Sequence, residues 1–244
     1  VIYNSDVILL RVLRPVSEVG LYLAAYALIN LLGVLGNSIA VSLIPGLAAP
    51  GRDQAGRQTV VDVATAYVVA LAVPLAVGGS ILAGPLIDFG FGSDYQGAGP
   101  VLAILIWTFP LLLVRSIQQA ALIAGDARGD VLRITAWAAA LSVSLNIVAI
   151  PLFGMIGAAC TTVGAEIARL FFSIGYAGRA GYAPPRVVRF WRIGLATMIM
   201  GAIVALSGRS IWVAVPAGAI TYLLALGVVG GIRRAAGGHF RLNV

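Results

Sequence analysis

The feature that most constrains this chain is a succession of eight apolar runs, separated by short turns rich in glycine, proline or arginine. A helix that crosses a bilayer needs about 20 mostly apolar residues, and every run except the first is of about that length or longer. The runs cover residues 1–13, 19–47, 60–89, 100–124, 131–150, 155–177, 188–206 and 211–232. We therefore expect an all-α, polytopic membrane helix bundle with eight transmembrane helices, of which the first is truncated.

Composition supports the same class of protein. The chain is 60% hydrophobic and 10% charged, whereas an ordinary soluble domain carries roughly a quarter charged residues. The net charge of +7 would suggest nucleic acid as the partner of a soluble protein. Here the arginines lie between apolar runs, where anionic lipid headgroups are the expected partners. The sequence thus predicts contact with a lipid bilayer and no nucleic-acid binding.

The basic residues, all sixteen of them arginine, alternate between the two sets of turns. The turns after the second, fourth and sixth runs and the C-terminal tail hold eleven arginines, whereas the opposite turns hold only Arg14 and Arg209. Arginine-rich turns of membrane proteins remain in the cytoplasm. This alternation supports the count of eight helices and predicts a cytoplasmic C-terminus.

Polar side chains within the runs recur at helical spacing. In the second run Tyr22, Tyr26, Asn30, Gly33 and Asn37 are separated by four, four, three and four residues, which keeps them on one helical face. Similar stripes in the first, fourth, fifth and sixth runs suggest a shared hydrated cavity, with the last two helices outside it. The candidate substrate-binding residues are Asp6, Arg11, Tyr22, Tyr26, Asn30, Asn37, Arg115, Gln118, Gln119, Ser142, Asn146, Glu166 and Arg169.

A structural role is the alternative for many of these residues. Asn, Ser and Thr commonly form hydrogen bonds between membrane helices, and Glu166 and Arg169, at i and i+3, can neutralise each other. Arg115 and Asp6 are harder to explain in this way, because ionisable residues within membrane helices usually mark a transport pathway. Pro74 and Pro110 fall within runs, where they predict either a packing kink or a hinge.

The chemistry available to such a cavity is recognition. Arginine offers a fixed fork of donors to phosphate oxygens, and Tyr, Asn and Gln can bind sugar hydroxyls. The sequence holds one cysteine, Cys160, and one histidine, His239, and it shows no nucleophile–base set or phosphate-binding glycine loop. We therefore predict that the protein is not an enzyme and has neither a cofactor nor a metal site.

Six short motifs occur in an order found in one known family. Together, they resemble the C-terminal half of a polysaccharide (O-antigen-type) flippase of the multidrug/oligosaccharidyl-lipid/polysaccharide exporter superfamily. The motifs are DVILL (6–10), EVGLYLAAY (18–26), LIPGLA (43–48), FGSDYQGA (91–98), AGDARGD (124–130) and the spaced pattern NI…P..G..GAA.T…E (146–166).

The resemblance implies two lobes of six helices, followed by two extra helices. Residues 1–182 would form the C-terminal lobe (helices 7–12), and residues 183–244 would form the two additional helices and a cytoplasmic tail. The chain begins at Val1 and directly in an apolar run. We therefore expect it to be a piece of a longer protein, and the N-terminal lobe of that protein to be missing from this piece. The location implied is the bacterial or archaeal plasma membrane.

The function implied is flipping of an undecaprenyl-diphosphate-linked oligosaccharide by alternating access, during polysaccharide (such as lipopolysaccharide) biosynthesis. The expected partners are the lipid-linked glycan, the N-terminal lobe, and a polysaccharide polymerase with its glycosyltransferases. Lipid II flippases of the same superfamily carry an arginine where this chain has Tyr26, so the resemblance does not by itself indicate lipid II. The alternatives are a drug/cation antiporter of the same superfamily, coupled through Asp6 or Glu166, and a non-transport membrane scaffold of a glycan-assembly complex.

Overall fold

The computed structural model of the protein is a helix bundle, and it describes residues 5–49, 53–184, 190–208, 210–229, 232–234 and 240–242. A 3-10 helix, Ser93–Ala98, connects α4 to α5, and two short strands pair antiparallel in the tail. The helices are α1 (Ser5–Leu13), α2 (Val16–Leu47), α3 (Gln54–Ile81), α4 (Ala83–Phe91), α5 (Gly99–Leu105), α6 (Thr108–Ala124), α7 (Arg128–Arg179), α8 (Trp191–Leu206) and α9 (Ile211–Val228), and the strands are β1 (Ile232–Arg234) and β2 (Phe240–Leu242).

The predicted eight-segment helical bundle is confirmed for the part of the chain that the structure describes. Five helical stretches there are long and apolar enough to cross a membrane: α2, α3, Ser93–Ala124, α7 and α9. The helix α7 contributes two of the predicted segments, and the shorter helices α1 and α8 supply the remaining two. Residues 1–4 of the first run and residues 188–189 of the seventh lie outside the described residues.

The long helix α7 is a hairpin of two antiparallel limbs. A straight helix of its 52 residues would be about 78 Å long, far more than the roughly 30 Å bilayer core. Gly154 has non-helical dihedral angles (φ 56°, ψ −137°), and Thr161 donates a hydrogen bond to Asn146. Residues 15 apart in a straight helix would lie about 22 Å apart along its axis. The chain therefore reverses at Gly154, which lies in the turn expected between the fifth run (131–150) and the sixth run (155–177).

Glycine allows the two limbs of α7 to approach closely beside this turn. A Cβ atom at Gly157 would lie 2.3 Å from the carbonyl oxygen of Ala149 on the preceding limb. Small residues at helix contacts in membranes permit such backbone proximity. The run of small residues after Gly154 thus packs one limb against the other.

The third and fourth runs are each divided into shorter helices. The first break is at Leu82, between α3 and α4, and the second is at residues 106–107, between α5 and α6. Pro110 consequently lies in the first turn of α6, where proline is tolerated, and not in the middle of a continuous helix. The hydroxyl of Ser80 donates a 2.9 Å hydrogen bond to the carbonyl of Ala103, so the two divided runs contact each other near their breaks.

The described segments beside two of the arginine-rich turns meet at one end of the bundle, which we name the arginine-rich end. Gln58, near the start of α3, accepts a hydrogen bond from the backbone N–H of Ala183, which follows α7. At the other end, the position of a Gly154 Cβ would be 2.6 Å from atoms of both Arg14 and Glu18, which flank the turn between α1 and α2. The turn after α7 therefore contacts the start of α3, whereas the turn within α7 lies beside the start of α2.

The last two helices pack on one another and on α3. A separate apolar cluster joins them, with Ala70 and Leu82 on one side and Ile193, Met200 and Leu226 on the other. The predicted eighth run extends to Ile232, but α9 ends at Val228 and Ile232 begins β1. Glycines at 230 and 231 explain the earlier end, because glycine disfavours helix and is enriched just after helix ends.

Candidate substrate-binding site

The first group of polar side chains joins α1, α2 and the second limb of α7. Tyr22 donates a 2.5 Å hydrogen bond to the carboxylate of Asp6, and Thr162 donates a 3.1 Å hydrogen bond to the same oxygen. Asp6 and Tyr22 are buried. A buried carboxylate needs such donors, because its desolvation is otherwise costly. The three residues fix the short helix α1 against α2 and α7.

The second group is an ion-pair network between α6 and the second limb of α7. Arg115 Nε lies 3.1 Å from Glu166 Oε2, and Arg169 Nη1 lies 2.6 Å from Glu166 Oε1. Arg115 Nη1 also donates a 2.8 Å hydrogen bond to the amide oxygen of Gln119. All three charged residues are less than 10% exposed. One carboxylate therefore serves two buried guanidinium groups, and the trio carries a net charge of +1.

These two groups border a cleft with a volume of about 510 Å³. The α2 side of the cleft is lined by Tyr26, Asn30 and neighbouring apolar residues, and the opposite side is lined by α6 and α7. Its polar lining residues are Tyr26, Asn30, Thr108, Arg115, Ser116, Gln119, Thr162 and Glu166.

A much smaller cavity, of about 40 Å³, adjoins the cleft. Tyr26, Thr162 and Glu166 line both spaces, whereas Asp6 and Arg169 line only the smaller one. Ser142, on the first limb of α7, also borders the smaller cavity. Glu166 thus lies where the two spaces meet, with one arginine on each side of it.

The structure brings most of the candidate residues to these two cavities. Asp6, Tyr26, Asn30, Arg115, Gln119, Ser142, Glu166 and Arg169 line one cavity or both, and Tyr22 supports Asp6 from behind. The helices that supply them are α1, α2, α6 and α7, in keeping with the expectation that α8 and α9 lie outside the site.

Besides Tyr22, three candidates whose side chains the structure describes line neither cavity. Arg11 is exposed on α1, and Gln118 is buried on a different side of α6, where its Nε2 has no hydrogen-bond partner among the described residues. Asn146 is fully buried and accepts a hydrogen bond from Thr161 beside the α7 turn, which is a structural role. The side chain of Asn37 lies outside the part of the chain that the structure describes.

The candidate set omitted polar residues that line the cavities. Thr162 contacts Asp6 and lines both cavities, and its place four residues before Glu166 is a signal that the sequence does contain. Thr108 and Ser116 line the cleft as well, although their hydroxyls donate to backbone carbonyls of their own segment. Such internal hydrogen bonds are common for Ser and Thr in membrane helices, so these hydroxyls are weak indicators of a site.

Comparison with known proteins identifies the architecture. No protein-family model and no curated protein sequence matches the chain. A solved structure, "Lipid II flippase MurJ, inward closed conformation", matches with a TM-score of 0.75 and 18% sequence identity. The chain has a MurJ-type flippase fold. The match covers 86% of this chain and 47% of that protein, so the chain spans about half the length of the MurJ structure. The predicted fold class is thereby confirmed.

Proposed function

We propose that this chain is the C-terminal lobe of a transporter that flips a lipid-linked oligosaccharide of the undecaprenyl-diphosphate type across the plasma membrane. The observation that carries the proposal is Arg115, a buried arginine at the wall of a polar cleft in a flippase-type fold. Placing an arginine within a membrane protein is expensive. Its guanidinium group suits the phosphate oxygens of a lipid carrier.

The remaining cleft residues suit the glycan. Tyr26 offers an aromatic surface, and Asn30 and Gln119 offer amide groups that can both donate to and accept from sugar hydroxyls. Among the described residues, Arg115 uses two of its five N–H donors, for Glu166 and Gln119. The site can therefore hold an anionic head group and the saccharide attached to it.

The arrangement in the membrane follows from the arginine distribution. The arginine-rich end would face the cytoplasm, and alternating access would open the cleft to each side in turn. Residues 1–182 would form the six-helix lobe of the transporter. The helices α8 and α9 and the tail would be additional elements outside this lobe. A second lobe, supplied by a longer protein, would cover the exposed face of α2, where Asn30, Leu31 and Val34 are exposed.

Replacement of Arg115 tests the proposed function. Arg115→Ala in the full-length protein should abolish or strongly reduce the appearance of the glycan at the cell surface while leaving the amount of protein in the membrane unchanged. Arg115→Lys should restore only part of the activity, because lysine lacks the fork of donors. Arg133→Ala is the matched control, because Arg133 is an exposed arginine paired only locally with Asp130. Normal export by Arg115→Ala would remove Arg115 from the mechanism.

A drug/cation antiporter is the second candidate function, and the buried carboxylate of Asp6 is the observation that favours it. Asp6 borders the smaller cavity and is held by two hydroxyl donors, as a coupling acid would be. This alternative predicts that cells gain resistance to small organic cations and that Asp6→Asn abolishes the resistance. Unaltered sensitivity to a panel of such cations, together with glycan export, would decide in favour of the flippase.

A further inference from the structure

Glu166 binds both site arginines with different oxygen atoms. Its Oε2 accepts from Arg115 on α6, and its Oε1 accepts from Arg169 one turn along α7. The side chains of all three residues are buried. Removing one partner from such a buried network is costly. If Glu166 moved away from the arginines while the site was empty, two buried positive charges would lose this counter-ion.

A carboxylate that bridges two guanidinium groups has the same chemistry as a phosphate in that place. Both offer anionic oxygens to charge-assisted N–H donors at similar distances. Arg115 can be reached from the cleft, and Arg169 from the smaller cavity, with Glu166 between them. A ligand anion that bridges the two arginines as Glu166 does must therefore take the space and the donors that Glu166 occupies.

We propose that Glu166 is an internal competitor for the anionic group of the substrate, which neutralises Arg115 and Arg169 in the empty site and is displaced when a phosphate-bearing ligand enters. This inference rests on the proposed function only in requiring an anionic ligand. It adds a basis for selectivity, because a singly charged ligand offers the arginines no more than Glu166 already does. A diphosphate brings more negative charge and more acceptor oxygens, so it competes better than a carboxylate or a phosphodiester, each of which carries a single charge.

Binding of inorganic pyrophosphate to the purified full-length protein in lipid nanodiscs tests this role. Glu166→Gln preserves the shape of the side chain and removes its charge, so it should increase the affinity for pyrophosphate by about tenfold or more, since each charge-assisted hydrogen bond is worth roughly that factor. Asp62→Asn is the matched control, because Asp62 pairs with Gln58 at the arginine-rich end of the bundle and should leave the affinity unchanged. Adding Arg115→Gln to Glu166→Gln should remove the gain.

A second variant keeps the test valid if Glu166→Gln does not fold. Glu166→Asp retains the negative charge but is one methylene shorter, so it cannot bridge both arginines and should increase pyrophosphate affinity severalfold. Unchanged or weaker binding by the folded variants would show that Glu166 positions the arginines and would overturn the proposal. If the Glu166 variants bind pyrophosphate more tightly but the wild-type protein exports no glycan, the proposed substrate is refuted and the role of Glu166 as a competitor stands. If glycan export requires Arg115 but Glu166→Gln does not increase the affinity for pyrophosphate, only the proposed role of Glu166 is refuted.

Discussion

The hydrogen bond between Tyr222 and Ala70 provides a test of how α9 is attached to α3. Pro74 in α3 has no N–H, so it cannot donate a hydrogen bond to the carbonyl of Ala70, four residues earlier. In the structure the hydroxyl of Tyr222 donates to that carbonyl at 2.6 Å, and the bond is buried. Pro74 in α3 thus leaves a carbonyl without its helical donor, and a side chain of α9 satisfies it.

The expected magnitude follows from this geometry. Hydrogen bonds between membrane helices average about 0.6 kcal/mol and reach about 1.7 kcal/mol, and a buried acceptor left without a partner costs about 1–3 kcal/mol. The carbonyl of Ala70 cannot accept a replacement hydrogen bond from Pro74, which has no N–H. We therefore expect Tyr222→Phe to lower the free energy of unfolding by about 1–2 kcal/mol. That value lies at the upper end of the range for membrane proteins.

A double-mutant cycle with Pro74→Ala isolates the cause. Alanine at position 74 restores an N–H that can bond to the Ala70 carbonyl within α3, so Tyr222→Phe should then cost less than about 0.5 kcal/mol, as for loss of an ordinary contact. The free energy of unfolding can be measured by titration with a denaturing detergent in mild micelles. Tyr67→Phe is the control, because Tyr67 is a half-exposed tyrosine of the same helix. An equal cost of Tyr222→Phe in both backgrounds would refute the reasoning.

Two further predictions concern the α7 turn and the cleft. Gly154→Ala should lower the free energy of unfolding by about 3 kcal/mol or more, because its backbone conformation is open essentially only to glycine and a Cβ would lie 2.6 Å from atoms of Arg14 and Glu18; Gly175→Ala, where nothing lies within 4 Å, should be neutral or stabilising, and equal effects would contradict this account of the turn. In a Cys160→Ala background, a cysteine at Asn30 should react with a membrane-impermeant thiol reagent in the full-length protein, whereas a scaffold with a packed, dry interior would leave it unreactive.

Much of the fold could be predicted because the bilayer simplifies the problem. Each helix must satisfy its own backbone hydrogen bonds, so run length and arginine position indicate the number and direction of the helices. The breaks at Leu82 and residues 106–107 could not be predicted in the same way. They depend on how α3 and α5 contact each other, as in the hydrogen bond from Ser80 to the Ala103 carbonyl, and such contacts between distant segments leave no local periodic signal.

Some individual polar residues of the candidate site could be proposed from the sequence, but their partners could not. The pairing of Glu166 with Arg169 follows from their i, i+3 spacing, and the structure shows it. The third member, Arg115, lies 51 residues before Glu166, and no spacing rule relates the two. Gln118 and Gln119 illustrate the same limit, because neighbouring residues on a helix point about 100° apart and only packing decides which one meets the cleft.

The same packing explains why a charged network is tolerated here. Within the lobe, Glu166 carries one negative charge against two arginines, and the next buried carboxylate, Asp6, borders the same small cavity as Arg169. Together these four side chains are neutral, which lowers the cost of burying them in a bilayer. A neutral cluster divided between two adjoining cavities can exchange its internal anion for an external one at little electrostatic cost. An uncompensated arginine pair would hold any anion too tightly for release on the far side of the membrane.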